Sequence, residues 1–295
     1  MRLLHRSSCV DLIFGVGLVG AWVAEAVRLL PGSQLLQDTT LPTRWDALSS
    51  SLKEVRASVQ TPPRVRVFWC AGKAGFASDL AQCELERHCF ETVLRWAERW
   101  ETQLEFHLVS SAGGLHEGQL LVGSKAEVII TRPYAALKLS QERALQGSSV
   151  KQQFIYRLSS VYGVPVPERR LGLISTLVIN ALRRKPTLIT AEASTLRDFV
   201  SAQDAGRFMA QEEKAEGLHY LVSGHPLSIW SLQLAVERAL RRPVSVVYSI
   251  KKDNVASTSF LPSLRPPHWE ASSVESNLPR ITAAAQSWIP PTVRT

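Results

Sequence analysis

Tyr134 and Lys138 stand four apart in the run Thr131-Arg132-Pro133-Tyr134-Ala135-Ala136-Leu137-Lys138. On a helix that spacing sets an ammonium beside a phenol on one face. A free phenol titrates near pH 10, and a neighbouring positive charge favours the phenolate, which makes the pair usable as a base near neutrality. Upstream, Phe106-His107-Leu108-Val109-Ser110-Ser111 reads as a strand ending in two hydroxyls. Serines at a strand end often cap the next turn. Beside an activated phenol, a serine can instead hydrogen-bond the oxygen that gains or loses a proton.

Such a pair needs a scaffold, and the rest of the chain supplies a pattern for one. Val10-Asp11-Leu12-Ile13-Phe14 is an apolar run followed by Gly15-Val16-Gly17-Leu18-Val19-Gly20 and a helical pattern that ends near Leu30-Pro31-Gly32. Strand, glycine turn and helix in that order are the context in which this spacing binds a dinucleotide. Gly15 permits the tight turn, Gly17 lets the backbone approach a pyrophosphate, Leu18 and Val19 open the helix whose N-terminus suits that charge, and Gly20 lets helix and strand pack closely. Asp38 lies 18 residues beyond Gly20, after the strand-like Ser33-Gln34-Leu35-Leu36-Gln37. A carboxylate there accepts from the adenosine ribose and repels a 2′-phosphate, so NAD is expected rather than NADP. Val65-Arg66-Val67-Phe68-Trp69 reads as a buried strand running into Cys70-Ala71-Gly72-Lys73. The small residues leave room for a cofactor over the strand end, and Lys73 can reach its ribose or phosphate.

Strand-like runs at 10–15, 33–38, 64–70, 104–110 and 152–158 alternate with helical stretches near 18–30, 44–58, 80–100, 132–146 and 172–184. That alternation predicts an α/β fold, a Rossmann-type doubly wound parallel sheet with ligands at the C-terminal strand ends. Short strands at 187–189, 218–222 and 244–248 and a helix over 228–240 suggest a smaller C-terminal α/β substrate lobe. The domain expectation is residues 1–170 for the dinucleotide-binding part, with 190–212 returning to the sheet, and 171–295 mostly for the substrate lobe. A chain of 295 residues, 45% of them hydrophobic, is long enough to bury such a core.

Charge and cysteine usage narrow the classes. The net charge of +8 comes from 34 basic and 26 acidic residues, so an anionic partner fits. The basic residues are spread out, and clusters such as Arg183-Arg184-Lys185 and Arg241-Arg242 read as solvated helix faces, not as a nucleic-acid surface. Cys9, Cys70, Cys83 and Cys89 follow no zinc spacing, and no metal site is expected, with reduced thiols in a cytoplasmic protein the simpler reading. The basic start Met1-Arg2-Leu3-Leu4-His5-Arg6 is no convincing signal, because a signal peptide would consume the glycine turn itself. No uninterrupted apolar run reaches the roughly 18 residues of a membrane span.

Taken in order, Gly15-x-Gly17-x-x-Gly20, Asp38, Cys70-Ala71-Gly72, Ser110-Ser111 and Tyr134-x-x-x-Lys138 resemble the extended short-chain dehydrogenase/reductases. Within them the chain is most similar to the NAD-dependent epimerase/dehydratase group acting on nucleotide sugars, of the UDP-glucose 4-epimerase type. The likeness continues in Tyr156-Arg157-Leu158-Ser159-Ser160-Val161-Tyr162-Gly163, in Thr195-Leu196-Arg197-Asp198-Phe199-Val200, and in Ser287-Trp288-Ile289-Pro290-Pro291-Thr292. The resemblance implies Tyr134 as base, with Lys138 and Ser111 as its partners. It also implies Ser110 and Lys138 near the cofactor, and Ser111 and Arg197 toward a nucleotide-diphosphate sugar, with Arg197 at the diphosphate. It further implies a homodimer built on helices near 80–100 and 134–146, for which Trp96 and Trp100 are candidate contacts, with core packing explaining them equally well, and a role in polysaccharide synthesis.

Two departures from the family pattern bear on the chemistry. Only about thirty residues separate Asp38 from Cys70, fewer than the pattern requires, so adenine recognition is expected to be simplified and NAD held less tightly. In the related 4,6-dehydratases an acidic residue follows the catalytic hydroxyl; here Ala112-Gly113-Gly114-Leu115 follow Ser111, and His116 and Glu117 read as exposed loop residues. A 4-epimerase therefore ranks first. A 4-ketoreductase or dehydratase is the alternative, and a non-catalytic dinucleotide-binding module is the second alternative.

Overall fold

Cys9–Phe14 and Arg64–Trp69 are nearly unbroken buried runs, the pattern of strands covered on both faces. The computed structural model makes them central strands of the main sheet. It describes residues 1–6, 9–38, 45–58, 64–100, 103–165, 171–249 and 255–288. The elements in chain order are β1 (Arg2–Arg6), β2 (Cys9–Phe14), α1 (Leu18–Arg28), β3 (Gln34–Asp38), α2 (Trp45–Ser58), β4 (Arg64–Trp69) and α3 (Leu80–Ala97). They continue with β5 (Gln103–Ser111), the single turn α4 (Ala112–Leu115), α5 (Pro133–Gln146), β6 (Gln152–Leu158), β7 (Ser160–Tyr162), α6 (Leu173–Leu182) and β8 (Thr187–Ile189). Then come β9 (Leu196–Arg197), β10 (Phe199–Ser201), α7 (Ala202–Ala210), β11 (Gly217–Leu221), β12 (Leu227–Ser228), α8 (Ile229–Leu240), β13 (Val246–Tyr248) and α9 (Val274–Ser287).

The chain divides into two compact units. The first comprises Met1–Leu115, Ile129–Arg157 and Gly206–His219; the second comprises His116–Val128, Leu158–Ala205 and Tyr220–Thr295. The main sheet has seven strands in the order β11-β6-β5-β4-β2-β1-β3. β2, β4 and β5 run parallel, with Asp11 opposite Arg66 and Phe68 opposite His107. The expected Rossmann-type α/β arrangement is thus present. The 218–222 strand, expected in the substrate lobe, lies in β11 at the edge of the main sheet. Phe199–Ser201 instead pairs with Ser160–Tyr162 in a small parallel sheet of the second unit.

The sheet departs from the purely parallel expectation at one edge. β1 is antiparallel to both β2 and β3, so it stands between them. Leu3, Leu4 and Arg6 are buried in this five-residue strand while His5 is exposed. So short a basic segment at the chain start carries little periodicity for a sequence reading to use.

Buried charges of the first unit are held by ion pairs, as burial demands. Arg66 and Asp11, both fully buried and opposite one another, form an ion pair of 2.5 Å, and Arg6 Nε donates to the other Asp11 oxygen at 3.1 Å. Removing one member of such a pair typically costs about 3–5 kcal/mol, which explains why charges persist in otherwise apolar strands. Trp96 is buried, and its indole donates to Leu52 O at 2.9 Å; Trp100 packs edge-on against it. Trp96 belongs to the apolar core of this unit and the half-buried Trp100 packs against it, which is the core-packing alternative.

In the second unit, α6, α8 and α9 enclose Ile174, Leu177, Val178, Leu232, Val236, Leu278 and Ile281. The basic clusters at 183–185 and 241–242 fall at the C-terminal ends of α6 and α8, where cations complement the helix dipole. No described helix is long and apolar enough to cross a membrane.

Candidate active site

The glycine turn has the local geometry that its spacing predicts. Gly15 has φ +80°, and its amide neighbourhood is tight: a methyl group there would lie 2.2 Å from the Ala71 Cα. Gly17 N donates to Gly15 O at 2.8 Å, closing the turn, and Gly17 caps α1. A methyl on Gly20 would meet Gly15 O at 2.2 Å and Cys70 Cβ at 3.0 Å, so this glycine lets the helix press on the strand ends. A Cβ on Gly17 would instead meet nothing within 4 Å. The turn thus leaves an open cradle at the N-terminus of α1, opened by Leu18 and Val19, and no acidic residue lies in the helix's first turn. A pyrophosphate fits such a place by charge and by space.

Ser111, Tyr134 and Lys138 come together in the same unit. Pro133 occupies the first turn of α5, where its fixed φ starts a helix at no hydrogen-bond cost. Tyr134 follows, half-buried, and Lys138 Nζ lies 5.7 Å from its ring centroid. Ser111 ends β5, and its Oγ accepts from Gly114 N at 3.0 Å, capping α4. That bond uses a lone pair and leaves the hydroxyl proton available to donate. Gly114 measures the closeness of serine and tyrosine: a Cβ there would be 3.0 Å from Tyr134 Cε1 and 3.1 Å from Ser111 Oγ. Phe76 covers the phenol ring at a centroid distance of 5.7 Å, and the Arg132 guanidinium lies over Phe76.

Three buried polar residues beside this trio were not anticipated. Lys138 Nζ donates to Glu86 Oε1 at 3.0 Å and to Gln141 Oε1 at 3.1 Å, while Glu86 Oε2 accepts from Ala74 N at 3.1 Å. Burial alone would lower the Lys138 pKa; Glu86, with smaller contributions from Tyr134 and Cys70, outweighs it and holds the ammonium above the ordinary lysine value. Glu142 forms a buried ion pair with Arg157, with bonds of 2.9 and 2.6 Å, and Ser110 donates its proton to the same carboxylate at 2.5 Å. Lys138, Gln141 and Glu142 follow Tyr134 at helical spacing, so one face of α5 carries the whole polar stripe. That spacing was the available signal.

The remaining predicted residues fall in several places. Cys70 opens the turn after β4, its thiol pushed up to about 12 by burial, with Lys138 acting in the opposite direction. Ala71 abuts Gly15 as described, and Lys73 is exposed. Gly72 has φ +150° and faces a carboxylate: a methyl there would stand 2.6 Å from both Glu86 oxygens. Asp38 ends β3 and pairs in register with Arg2, which in turn pairs with Ile13; a strand therefore intervenes between Asp38 and β2.

Arg197 belongs to the second unit, where its Nε donates to Ser160 Oγ at 3.2 Å. Next to it, the Asp198 carboxylate accepts from Ser223 N, Ser223 Oγ and Gly224 N, each at 2.8 Å. His116 and Glu117, expected to be exposed, are buried in that unit. His116 Nε2 lies 2.9 Å from the Tyr220 hydroxyl, and Glu117 accepts from Ala256 N at 3.3 Å. The C-terminal run from Ile289 onward lies outside the described residues, and Trp288, just before it, packs against the core of the second unit.

The model of the NAD dependent epimerase/dehydratase family matches residues 72–221. Among solved structures, the UDP-glucose 4-epimerase of Thermotoga maritima with UDP-glucose is similar at 16% identity and a TM-score of 0.75, over 95% of this chain and 99% of its own. The Thermus thermophilus UDP-glucose 4-epimerase in complex with NAD gives 16% and 0.72, over 96% and 100%. The ADP-L-glycero-D-manno-heptose-6-epimerase of Helicobacter pylori gives 16% and 0.71, over 96% and 97%. No curated protein matches. At such identities the structures speak for the fold alone. The family model spans half the chain and takes in Ser111, Tyr134 and Lys138, and on that ground the protein belongs to the NAD-dependent epimerase/dehydratase family and is an NAD-dependent enzyme.

Proposed function

We propose that the protein is a nucleotide-sugar 4-epimerase that works by transient oxidation at the sugar C4. The observation that carries this reading is the meeting of Ser111 Oγ and the Tyr134 ring across Gly114, with Lys138 one helical turn on. Tyr134 takes the proton of the 4-hydroxyl while Ser111 donates a hydrogen bond to that oxygen. NAD, when bound, would supply the hydride-accepting and hydride-donating chemistry that a change of configuration at C4 needs. Gly15, Gly17, Leu18, Val19 and Gly20 would hold its pyrophosphate, with Ala71 and Gly72 bordering the path and Lys138 near its ribose. Arg197 is assigned to the substrate diphosphate. Elimination is disfavoured because α4, which follows Ser111, is Ala-Gly-Gly-Leu and offers no acid. The same reading makes the enzyme a cytoplasmic homodimer that serves polysaccharide synthesis.

A 4-ketoreductase is the second reading, and the interposed β1 favours it. A cofactor gripped less firmly on the adenosine side suits an enzyme that exchanges it with solution. The test is to denature purified protein in acid and quantify the released dinucleotide, then to incubate folded protein with UDP-hexoses and NAD. Near-stoichiometric NAD and interconversion of C4 epimers are expected. An empty protein that reduces a 4-keto sugar with added NADH would replace the first reading by the second.

A further inference from the structure

A buried carboxylate that no part of the proposed reaction uses lies against the catalytic ammonium. Glu86 reaches from α3 with one oxygen on Lys138 Nζ at 3.0 Å and the other on Ala74 N at 3.1 Å. Both partners of the ion pair are more than nine-tenths buried. Gln141 ties the pair together, accepting from Lys138 and donating to Glu86 at 3.3 Å. Gly72 has room for this carboxylate only because it lacks a Cβ. The contact therefore joins three elements: the turn after β4, α3, and the helix bearing Tyr134.

We propose that Glu86 is a positioning residue of the catalytic site, holding Lys138 protonated and in place before any cofactor arrives and offsetting the ammonium's field at Tyr134. This rests on the reading of Tyr134 and Lys138 as the catalytic pair. A buried ammonium without a counter-charge gives up its proton readily, and a carboxylate at hydrogen-bond distance prevents that. The groups facing Lys138 are Glu86 and Cys83 from α3, Tyr134 and Gln141 from its own helix, and Cys70 from the end of β4. Glu86 is the carboxylate among them. The same charge works against the lysine's effect on the phenol, so the pair reaches Tyr134 as a dipole and not as a bare cation. The bond to Ala74 N links the lysine's position to the Cys70–Ala74 turn that borders the glycine turn.

The test reads the lysine itself, so it succeeds or fails whatever reaction the enzyme performs. Lysines of wild-type protein and of E86Q are trace-labelled with acetic anhydride across a pH series, and the Lys138 peptide is quantified by mass spectrometry against the other lysines. The expected result is that the pH midpoint for labelling Lys138 falls by more than about one unit in E86Q, the scale of losing an adjacent opposite charge. E86D, which keeps the charge, should fall by less than half as much. In the same variants, the acid limb of kcat/KM should move to lower pH in E86Q and stay near wild type in E86D. An unchanged Lys138 midpoint in E86Q, or equal shifts in both variants, would overturn the proposal. If E86Q does not fold, the neutral double variant E86Q/K138M decides. A folded double variant supports a charge pairing, whereas an equally unfolded one makes Glu86 a packing residue and overturns the proposal.

Discussion

At Gly114 the arrangement around the phenol has least slack. A Cβ there must push Tyr134 or Ser111 aside by a few tenths of an ångström, since both lie near 3 Å from it. A misplacement of about 1 Å can cost about 100-fold in rate, so Gly114→Ala should lower kcat roughly 3- to 10-fold. Steady-state kinetics with an unchanged kcat would show that the serine and the phenol do not act together. Tyr134→Phe removes the proton acceptor and should cost 10²–10⁴-fold, on the order of a general base's usual contribution, while NAD binding stays near wild type. Activity above about a tenth of wild type would remove Tyr134 from that role. The trio was legible in the sequence because its members sit on local signals: Tyr134 and Lys138 on a helical i, i+4 pair, and Ser111 on a strand ending in hydroxyls. Glu86 was not, because it meets Lys138 across 52 residues of chain and no local pattern marks it. Gln141 and Glu142 could have been read from their spacing to Tyr134 and Lys138.

The elements were largely legible too, because unbroken apolar runs and glycine punctuation mark β2, β4 and α1 plainly. β1 is too short and too basic to carry such a mark, and its consequence falls on Asp38. Adjacent strands are about 4.8 Å apart, so interposing β1 places β3 about twice that distance from the strand that leads into the glycine turn. Asp38→Ala is therefore expected to weaken NAD by less than about threefold, far below the loss of a direct charged hydrogen bond. Titration calorimetry giving more than a tenfold loss would show that Asp38 does contact the ribose. Helix packing gives a separate check. A Cβ on Gly206 of α7 would stand 2.5 Å from the Trp22 backbone carbon of α1, with no flexible side-chain end to yield. Gly206→Ala should cost about 1–3 kcal/mol, the usual penalty of overpacking, read as a lower urea midpoint. An unchanged midpoint would mean that these helices are not held at that spacing.

Over the whole molecule, the family match covers residues 72–221; the glycine turn and β1 precede it, and α8 and α9 follow it. Acid stability should follow a buried pair of the first unit. His107, stacked between Phe68 and Phe154, is pushed down to about 3 by burial, although Glu105 works in the other direction. Burial alone would raise Glu105, but bonds from His107 and Arg64 outweigh it and bring it to about 2. Both folded values lie below the ordinary ones, so the unfolded chain binds more protons in acid. Their contribution is intact at neutral pH, falls as His107's window from 6.5 to about 3 is crossed, and falls further as Glu105's from 4.5 to about 2 is crossed. Melting temperature should drop steadily from pH 7 to pH 4; a flat profile would contradict the buried neutral histidine. The central claim, that a hydride leaves the sugar C4 and returns to it, is tested most directly with a UDP-hexose carrying deuterium at C4. Incubated with the enzyme and NAD in ordinary water, the epimeric product should retain the deuterium at C4 in wild type and fail to form with Tyr134→Phe. Product that has lost its deuterium to solvent, or formation of the epimer by Tyr134→Phe at the wild-type rate, would contradict the account.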